Sequence, residues 1–228
     1  MSHEEPTAEF RRIGFAEHAT ASGELARGDP LTAVGASFRR HQHTVDAALA
    51  ESGARLACRA GCAWCCRYKV DARADEVLAI VEYARTRLDV ATREQVVAAA
   101  RRNAATIRTL TPREHQASNI ACCFLVDERC SIHPARPFAC RNHHSTDVEA
   151  CIAEYRAADG QTEVPTVPLL RERAGGHREG RQSALLHAGF DVRAYDLTTA
   201  FLEAFDNPAA VRRLRARKRA LIAAIVVD

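Results

Sequence analysis

Cysteines in two short windows are the residues of this chain whose type and spacing could do chemistry. The first window, residues 58–66, has the pattern C-x3-C-x2-C-C, and the second covers residues 122–140. Cysteines that serve only as small core residues would be scattered, whereas close spacing on loops lets several thiolates converge on one zinc ion or one iron–sulfur cluster. We therefore interpret the windows as metal ligands rather than as disulfides or buried structural thiols. The windows contain Cys58, Cys62, Cys65, Cys66, Cys122, Cys123, Cys130 and Cys140.

These windows offer more thiols than the four that a single tetrahedral zinc ion requires. Adjacent side chains point in different directions, so Cys65 and Cys66 are not expected to bind the same atom. Three arrangements stay open: one [4Fe–4S] cluster with spare thiols, one zinc ion with spare thiols, or a multinuclear site that uses nearly all of them. The sequence lacks the two C-x2-C knuckles of a zinc ribbon, which favours an iron–sulfur cluster or other iron over zinc.

Basic and imidazole side chains next to the cysteines are further candidates. Arg136 and Arg141 each adjoin a proline or a cysteine of the second window, where they could offset the thiolate charge and donate hydrogen bonds to sulfur. We predict that both contact the cofactor. Imidazole also binds zinc and iron, which makes His133, His143 and His144 candidate ligands, and His143 is the one to test first.

Length, charge and hydropathy exclude several classes of protein. The chain has 228 residues and a net charge of +3, from 32 basic and 29 acidic side chains, which argues against a nucleic-acid binder. No apolar run approaches the roughly 18 residues of a membrane span, and the polar start MSHEEPTAEF does not resemble a secretory signal. We therefore expect a cytoplasmic protein, in which cysteines stay reduced and are available to metals.

The elements that must position the cysteines are predicted to be mainly α-helical. Asp29-Pro30 predicts a helix start and Gly53 predicts its end. Apolar periodicity then predicts helices at about 74–88 and 92–110, which would return the chain to the first window. His41 and His43 are two residues apart on the first helix and are interpreted as surface histidines.

Both windows are predicted to lie on irregular structure between these helices. Gly61 allows a tight turn in the first window, and Pro134 and Pro137 prevent a continuous helix in the second. The segments FLVD and CSIH, residues 124–127 and 130–133, predict one small β-hairpin beside the site. The expected fold is therefore a set of helices surrounding a loop-borne, cysteine-rich metal site.

The segments before and after the metal site are predicted to have less regular structure. Residues 1–28 are interpreted as a partly ordered arm and residues 161–180 as a connector rich in Pro, Gly and Arg. Short helices are expected to end at Gly160 and Gly189, and another is expected at about 194–205. We predict three regions: an N-terminal arm and helix (1–54), a cysteine-cluster metal-binding domain (55–150) and a helical C-terminal region packing on it (151–228).

The last predicted helix, at about 208–226, carries the basic run RRLRARKR at residues 212–219. An apolar stripe on the same helix indicates that it docks on the rest of the protein with its basic face in solvent. The alternative is a patch for nucleic acid, an acidic partner or a membrane surface.

The ordered motifs of the two windows resemble the YkgJ-like cysteine-cluster family, the CxxCxxCC domain, which is described as zinc- or iron-chelating. The matching motifs are C-x3-C-x2-C-C at residues 58–66, then C-x-F-L, C-S-I and R-P-x-x-C-R within residues 122–141. Cys123 takes the place of a family proline, His133 takes the place of a family tyrosine, and Cys151 lies outside the pattern. The resemblance implies metal ligation by Cys58, Cys62, Cys65, Cys66, Cys122, Cys130 and Cys140.

Three functions remain open from the sequence. Flagellin lysine N-methylases carry a similar cysteine domain, so the resemblance implies an iron-dependent enzyme that modifies a peptide, a protein or a small molecule. A glycine-rich S-adenosylmethionine fingerprint is missing, which argues against methyl transfer, and no catalytic residue is indicated. The alternative is a non-catalytic, zinc-stabilised scaffold that binds a partner through its basic C-terminal helix. A metal chaperone or storage protein is the third.

Overall fold

The computed structural model describes residues 7–157 and 162–227, and these are mainly helical, as the sequence predicts. Local signals start several helices: the Thr7 side chain accepts a hydrogen bond from Phe10 N at 3.1 Å, and Pro30 occupies the first turn of the next helix. The helices are α1 (Ala8–Arg27), α2 (Pro30–Ser52), α3 (Ala74–Arg87), α4 (Val90–Ile107), α5 (Pro112–Ala117), α6 (Phe138–Asn142), α7 (Val148–Ala157), α8 (Pro168–His187), α9 (Leu197–Asp206) and α10 (Ala209–Arg215).

The prediction of a partly ordered arm was wrong for the described part of residues 1–28, because α1 is a 20-residue helix. The prediction of a connector at residues 161–180 was also wrong, because α8 begins at Pro168. Glycines that suggested breaks instead let α1 and α8 approach each other closely. A Cβ atom on Gly180 would overlap the carbonyl oxygen of Gly14 on the facing helix.

Two small antiparallel sheets accompany the helices. The strands β1 (Asp71–Arg73), β4 (Ala194–Asp196) and β5 (Val226–Val227) pair in the order β1-β4-β5, with β4 in the centre. The predicted hairpin is confirmed as β2 (Leu125–Val126) paired with β3 (Arg129–Cys130).

The last predicted helix was wrong beyond Arg215, where α10 ends. Arg217 has a positive φ of 55°, and the chain then turns back toward the sheet. The carboxylate of Glu203 explains this turn, because it accepts hydrogen bonds at 2.7–2.8 Å from the backbone N–H groups of residues 222–224. Those N–H groups are thereby satisfied without a helix.

Likewise, the predicted helix at 194–205 begins with strand β4, and its helical part starts at Leu197. The predicted helix end at Gly160 lies outside the described residues.

The predicted apolar stripe on α3 is confirmed, since Val77, Val81 and Ala84 are all buried. No helix among residues 7–157 and 162–227 has both the length and the apolar character needed to cross a bilayer.

A buried polar network joins α1, α2 and α8. The prediction that His41 lies on the surface was wrong, because this side chain is 0% exposed. Its ring lies edge-on to that of His177, with centroids 5.2 Å apart. His177 Nε2 lies 3.1 Å from Ser37 Oγ, which donates to Glu17 Oε1 at 2.7 Å. The three helices are therefore held together by polar contacts as well as by close packing.

The close approach of α1 and α8 predicts a strong effect of Gly180→Ala. The added methyl group must push the helices apart, which costs about 1–3 kcal/mol for overpacking. Gly35→Ala is the matched control, because its Cβ would meet only the flexible end of Arg39 at 3.9 Å. We expect that control to stabilise α2 by about 0.5–1 kcal/mol. Thermal unfolding of both variants checks this, and a Gly180→Ala protein as stable as the wild type would refute it.

The buried histidines predict a loss of stability in acid. Burial, assisted by Arg40 and Arg181, lowers the pKa of His177 to about 3, whereas an unfolded histidine titrates near pH 6.5. Between these values the unfolded chain binds more protons, so this histidine reduces stability as pH falls, by up to about 1.4 kcal/mol per pH unit. In His177→Gln the free energy of unfolding should depend less on pH between about 7 and 5. The free energy of unfolding would be measured by urea denaturation at several pH values. The same change with pH in both proteins would contradict this prediction.

Candidate metal centre

The first cysteine window forms an irregular loop that is anchored on α7. Gly61 has a φ of 84°, which favours glycine and turns the chain within the window. A short 3-10 turn at Trp64–Arg67 follows. The ring of Trp64 packs against Tyr155, with centroids 5.2 Å apart, so this tryptophan fastens the loop to the neighbouring helix.

A backbone hydrogen bond joins the two windows directly. Cys122 N donates to the carbonyl oxygen of Cys66 at 2.8 Å. The chain then enters the β2–β3 hairpin, which carries Cys130 on its second strand. Ser131 closes the end of this hairpin, because its backbone N and its hydroxyl both donate to the Phe124 carbonyl at 2.9 Å. Cysteines from both windows are thus placed by one connected piece of backbone.

The short helix α6, which carries the last thiol of the second window, is fixed at both ends by buried side chains. The carboxylate of Glu76 accepts hydrogen bonds from Phe138 N and Arg73 N, each at 2.7 Å. At the other end His41 Nε2 donates to Asn142 Oδ1 at 2.6 Å. Sequence reasoning missed both Glu76 and His41 as residues that position the site.

The thiols of the two windows act on one another electrostatically. Burial, followed by the effects of Cys122, Cys130 and Cys66, raises the pKa of Cys140 well above its ordinary value. Burial and then Cys122 raise the pKa of Cys130 to about 12. The interaction between the neighbouring thiols Cys65 and Cys66 raises the pKa of Cys65 and lowers that of Cys66 to about 7. These five predicted ligands therefore lie within electrostatic range of one another.

The remaining predicted ligands, Cys58 and Cys62, lie toward α7 with an unexpected neighbour. Cys58 Sγ accepts a hydrogen bond from Ser145 N at 3.4 Å. Cys151, which lies outside the sequence pattern, donates its thiol proton to the Asp147 carbonyl at 3.4 Å. Burial raises the pKa of Cys151, and Cys58 and Cys62 add to that shift. The fold thus brings the thiol of Cys151 near Cys58 and Cys62. The spacing of the cysteines in the sequence did not indicate this.

The two predicted cofactor-binding arginines are placed differently. Arg141 is buried; its Nε donates to the Arg136 carbonyl at 2.8 Å and its Nη2 donates to the Pro134 carbonyl. Its guanidinium also lies 4.3 Å from the ring centroid of Phe38, so Arg141 braces the loop before α6. Arg136 Nη1 contacts the ring of His133 at 2.8 Å. Burial lowers the pKa of Arg136, and nearby thiols oppose that shift, namely Cys140, Cys130, Cys65 and Cys58.

The chemistry of this region fits a thiophilic metal. All nine cysteines are free thiols. The crowding that raises the pKa values of Cys122, Cys130 and Cys140 would be relieved if a cation bound the deprotonated sulfurs. Among the residues that the structure describes, no group of three or more His, Cys, Asp or Glu side chains is already arranged to hold an ion. Metal binding therefore requires the gathered thiols to turn toward a common point.

Comparison with known proteins gives a family for this part of the chain. No curated protein and no solved structure matches it. Residues 57–162 match the model of the CxxCxxCC family, described as "Putative zinc- or iron-chelating domain". The matched range contains both cysteine windows and Cys151. Residues 57–162 of the chain are therefore similar to this zinc- or iron-chelating family.

Proposed function

We propose that the protein chelates a metal through thiolates from both cysteine windows, with iron, as an iron–sulfur cluster or otherwise, as the preferred metal. The observation that carries this proposal is the hydrogen bond of 2.8 Å from Cys122 N to the Cys66 carbonyl, which joins the two cysteine windows directly. The proposed ligands are Cys58, Cys62, Cys65, Cys66, Cys122, Cys130 and Cys140.

The number of thiols supports a cluster or a multinuclear site over a single structural zinc ion. One tetrahedral zinc ion uses at most four ligands, whereas seven sulfurs in one region suit a cluster or more than one metal atom. Arg136 supports either metal, because a guanidinium near the thiols offsets their charge and tunes the site from outside the ligand sphere. Arg141 acts indirectly, by holding the loop that carries Arg136.

The zinc-stabilised scaffold with a basic docking helix receives less support. The helix α10 has only seven residues. Two of its charges are engaged within the fold, because Arg213 pairs with Glu203 at 3.3 Å and Arg215 pairs with Asp29 at 2.6 Å. The basic run is therefore divided between the end of α10 and the turn that follows it, and does not form one long helical face.

An enzymatic role is the finer part of the proposal. An iron enzyme would keep one coordination position for a peptide or small-molecule substrate. Two surface cavities, of about 540 and 320 Å³, are lined by other parts of the fold and by no cysteine. The test is therefore spectroscopic: a change in the iron signal on addition of a peptide pool would support catalysis, whereas fully saturated thiolate coordination would favour chelation alone.

Two further proposals concern context. Nine free thiols suit a reducing compartment, so we place the protein in the cytoplasm. We also propose that residues 1–54 and 151–228 flank a metal-binding domain at 55–150 and support it. Contacts such as that of His41 with Asn142 support this division, because they join a flanking helix to the helix that carries Cys140.

Replacement of one buried thiol tests the proposed function. Loss of an outer-shell partner typically lowers metal affinity by about 10–100-fold. Cys140→Ser should lower it by more than that, because the substitution removes a direct ligand. The measurement is elemental analysis of iron and zinc, with acid-labile sulfide, on protein purified without oxygen.

Cys123→Ala is the matched control for that variant. Cys123 belongs to the same window but is buried in the core, only 1% exposed, next to Phe124. It should retain the wild-type metal content. Full metal content in Cys140→Ser would contradict the proposed ligand set, and so would an equal loss in both variants.

A further inference from the structure

The segment between Cys140 and Ser145 connects the two ends of the thiol group. It starts on α6 and ends where Ser145 N donates to Cys58 Sγ at 3.4 Å. The same residue fixes the loop in front of that thiol, because Ala57 N donates to the Ser145 carbonyl at 2.8 Å. The backbone of this segment is therefore fixed beside Cys58 of the first window at one end and carries Cys140 of the second window at the other.

His144 lies on this segment and has an unusual environment for a histidine. Its side chain is buried, with 8% of the residue exposed. Its Nε2 atom is inaccessible to solvent and has no hydrogen-bond partner among the described residues. Burial, followed by the effects of Arg136 and His143, lowers the pKa of His144 to about 4, and the nearby backbone of Arg141 opposes that shift. Burial of a polar atom without a hydrogen-bond partner is unfavourable, so the position of this nitrogen needs an explanation.

A metal ion would supply that reason. In metal sites a histidine commonly donates one ring N–H to a backbone carbonyl, which fixes the tautomer and turns the lone pair of the other nitrogen toward the metal. In His144 the nitrogen that such a histidine turns toward the metal, Nε2, is buried and has no partner among the described residues. Arg136 links it to the thiols, since the same guanidinium acts electrostatically on His144 and on four cysteines of the group.

We propose that His144 Nε2 is a nitrogen ligand of the metal centre, in addition to the cysteine sulfurs. This inference rests on the proposed function. The donor set would then contain both sulfur and nitrogen. Because imidazole is neutral, it would carry one negative charge fewer than an all-thiolate set of the same size. In an iron–sulfur centre, replacement of thiolate by imidazole raises the reduction potential.

The neighbouring histidines fit the role less well. His143 also has a buried Nε2 without a partner among the described residues, but its side chain is less buried than that of His144 and its ring packs edge-on against Tyr68, with centroids 5.9 Å apart. The ring of His133 contacts Arg136 and is partly exposed. His143 is therefore the natural control, being adjacent in sequence and equally short of a partner.

Pulsed EPR on protein labelled with ¹⁵N only at histidine tests the inference. The sample is full-length protein loaded with iron in a paramagnetic oxidation state, or with Co²⁺ if the protein is isolated with zinc. We expect a strong ¹⁵N coupling in the wild type and in His143→Ala, and loss of that coupling in His144→Ala with the thiolate-bound metal retained. Metal content and circular dichroism confirm that each sample is loaded and folded.

The other outcomes separate the two proposals. A wild-type protein that binds no metal would overturn the proposed function itself. Bound metal without ¹⁵N coupling would overturn only the role of His144, as would a coupling that survives in His144→Ala. If His144→Ala does not fold, His144→Gln replaces it. If neither folds, His143→Ala decides, because loss of the coupling there would assign the ligand to His143 instead.

Discussion

The crowding of cysteine thiols between the loop at residues 58–66 and helix α6 is the constraint on which the rest of the structure depends. Burial and mutual repulsion raise the pKa of Cys140 and Cys130, so these thiols remain protonated when no cation is present. A metal cation reverses this preference, because it binds the deprotonated sulfur. The fold must therefore hold the sulfurs near one another although this is unfavourable for their deprotonated form, and metal binding offsets that unfavourable free energy.

The surrounding helices meet that requirement with buried polar contacts. Glu76 fixes the beginning of α6 by accepting two backbone N–H groups, and burial raises the pKa of its carboxyl group. The pair of His41 and Asn142 fixes the end of the same helix. Glu76 comes from α3 and His41 comes from α2, which lies outside the matched residues 57–162. The bundle of α1, α2 and α8 thus contributes to the site although it carries none of the proposed ligands.

The parts of the structure that depend on local sequence were predictable. Asp29-Pro30 and Gly53 mark the ends of α2 correctly, because capping acts within a few residues. The β2–β3 hairpin was predicted from the apolar segments FLVD and CSIH, and in the structure its turn has positive φ at Asp127 and Glu128. The cysteine spacing also indicated the family that the comparison identified over residues 57–162.

The parts that depend on contacts between distant segments were not predictable in the same way. Gly14 and Gly180 suggest breaks in isolation, and only the facing helix shows why glycine is needed there. His41 was detectable in principle, because it shares the helical face of Val34, Phe38 and Val45, which are all buried. The proximity of Cys151 to Cys58 and Cys62 depends on the packing of α7, which leaves no mark in the spacing of the cysteines.

The most direct test of a single metal centre shared by both windows is to measure which cysteines the metal protects from alkylation. Protein purified without oxygen would be treated with a thiol reagent before and after removal of the metal, and each cysteine would be quantified by mass spectrometry. A shared centre predicts that cysteines of both windows, including Cys66 and Cys140, become reactive together when the metal is removed. Protection confined to one window, or no change on metal removal, would contradict it.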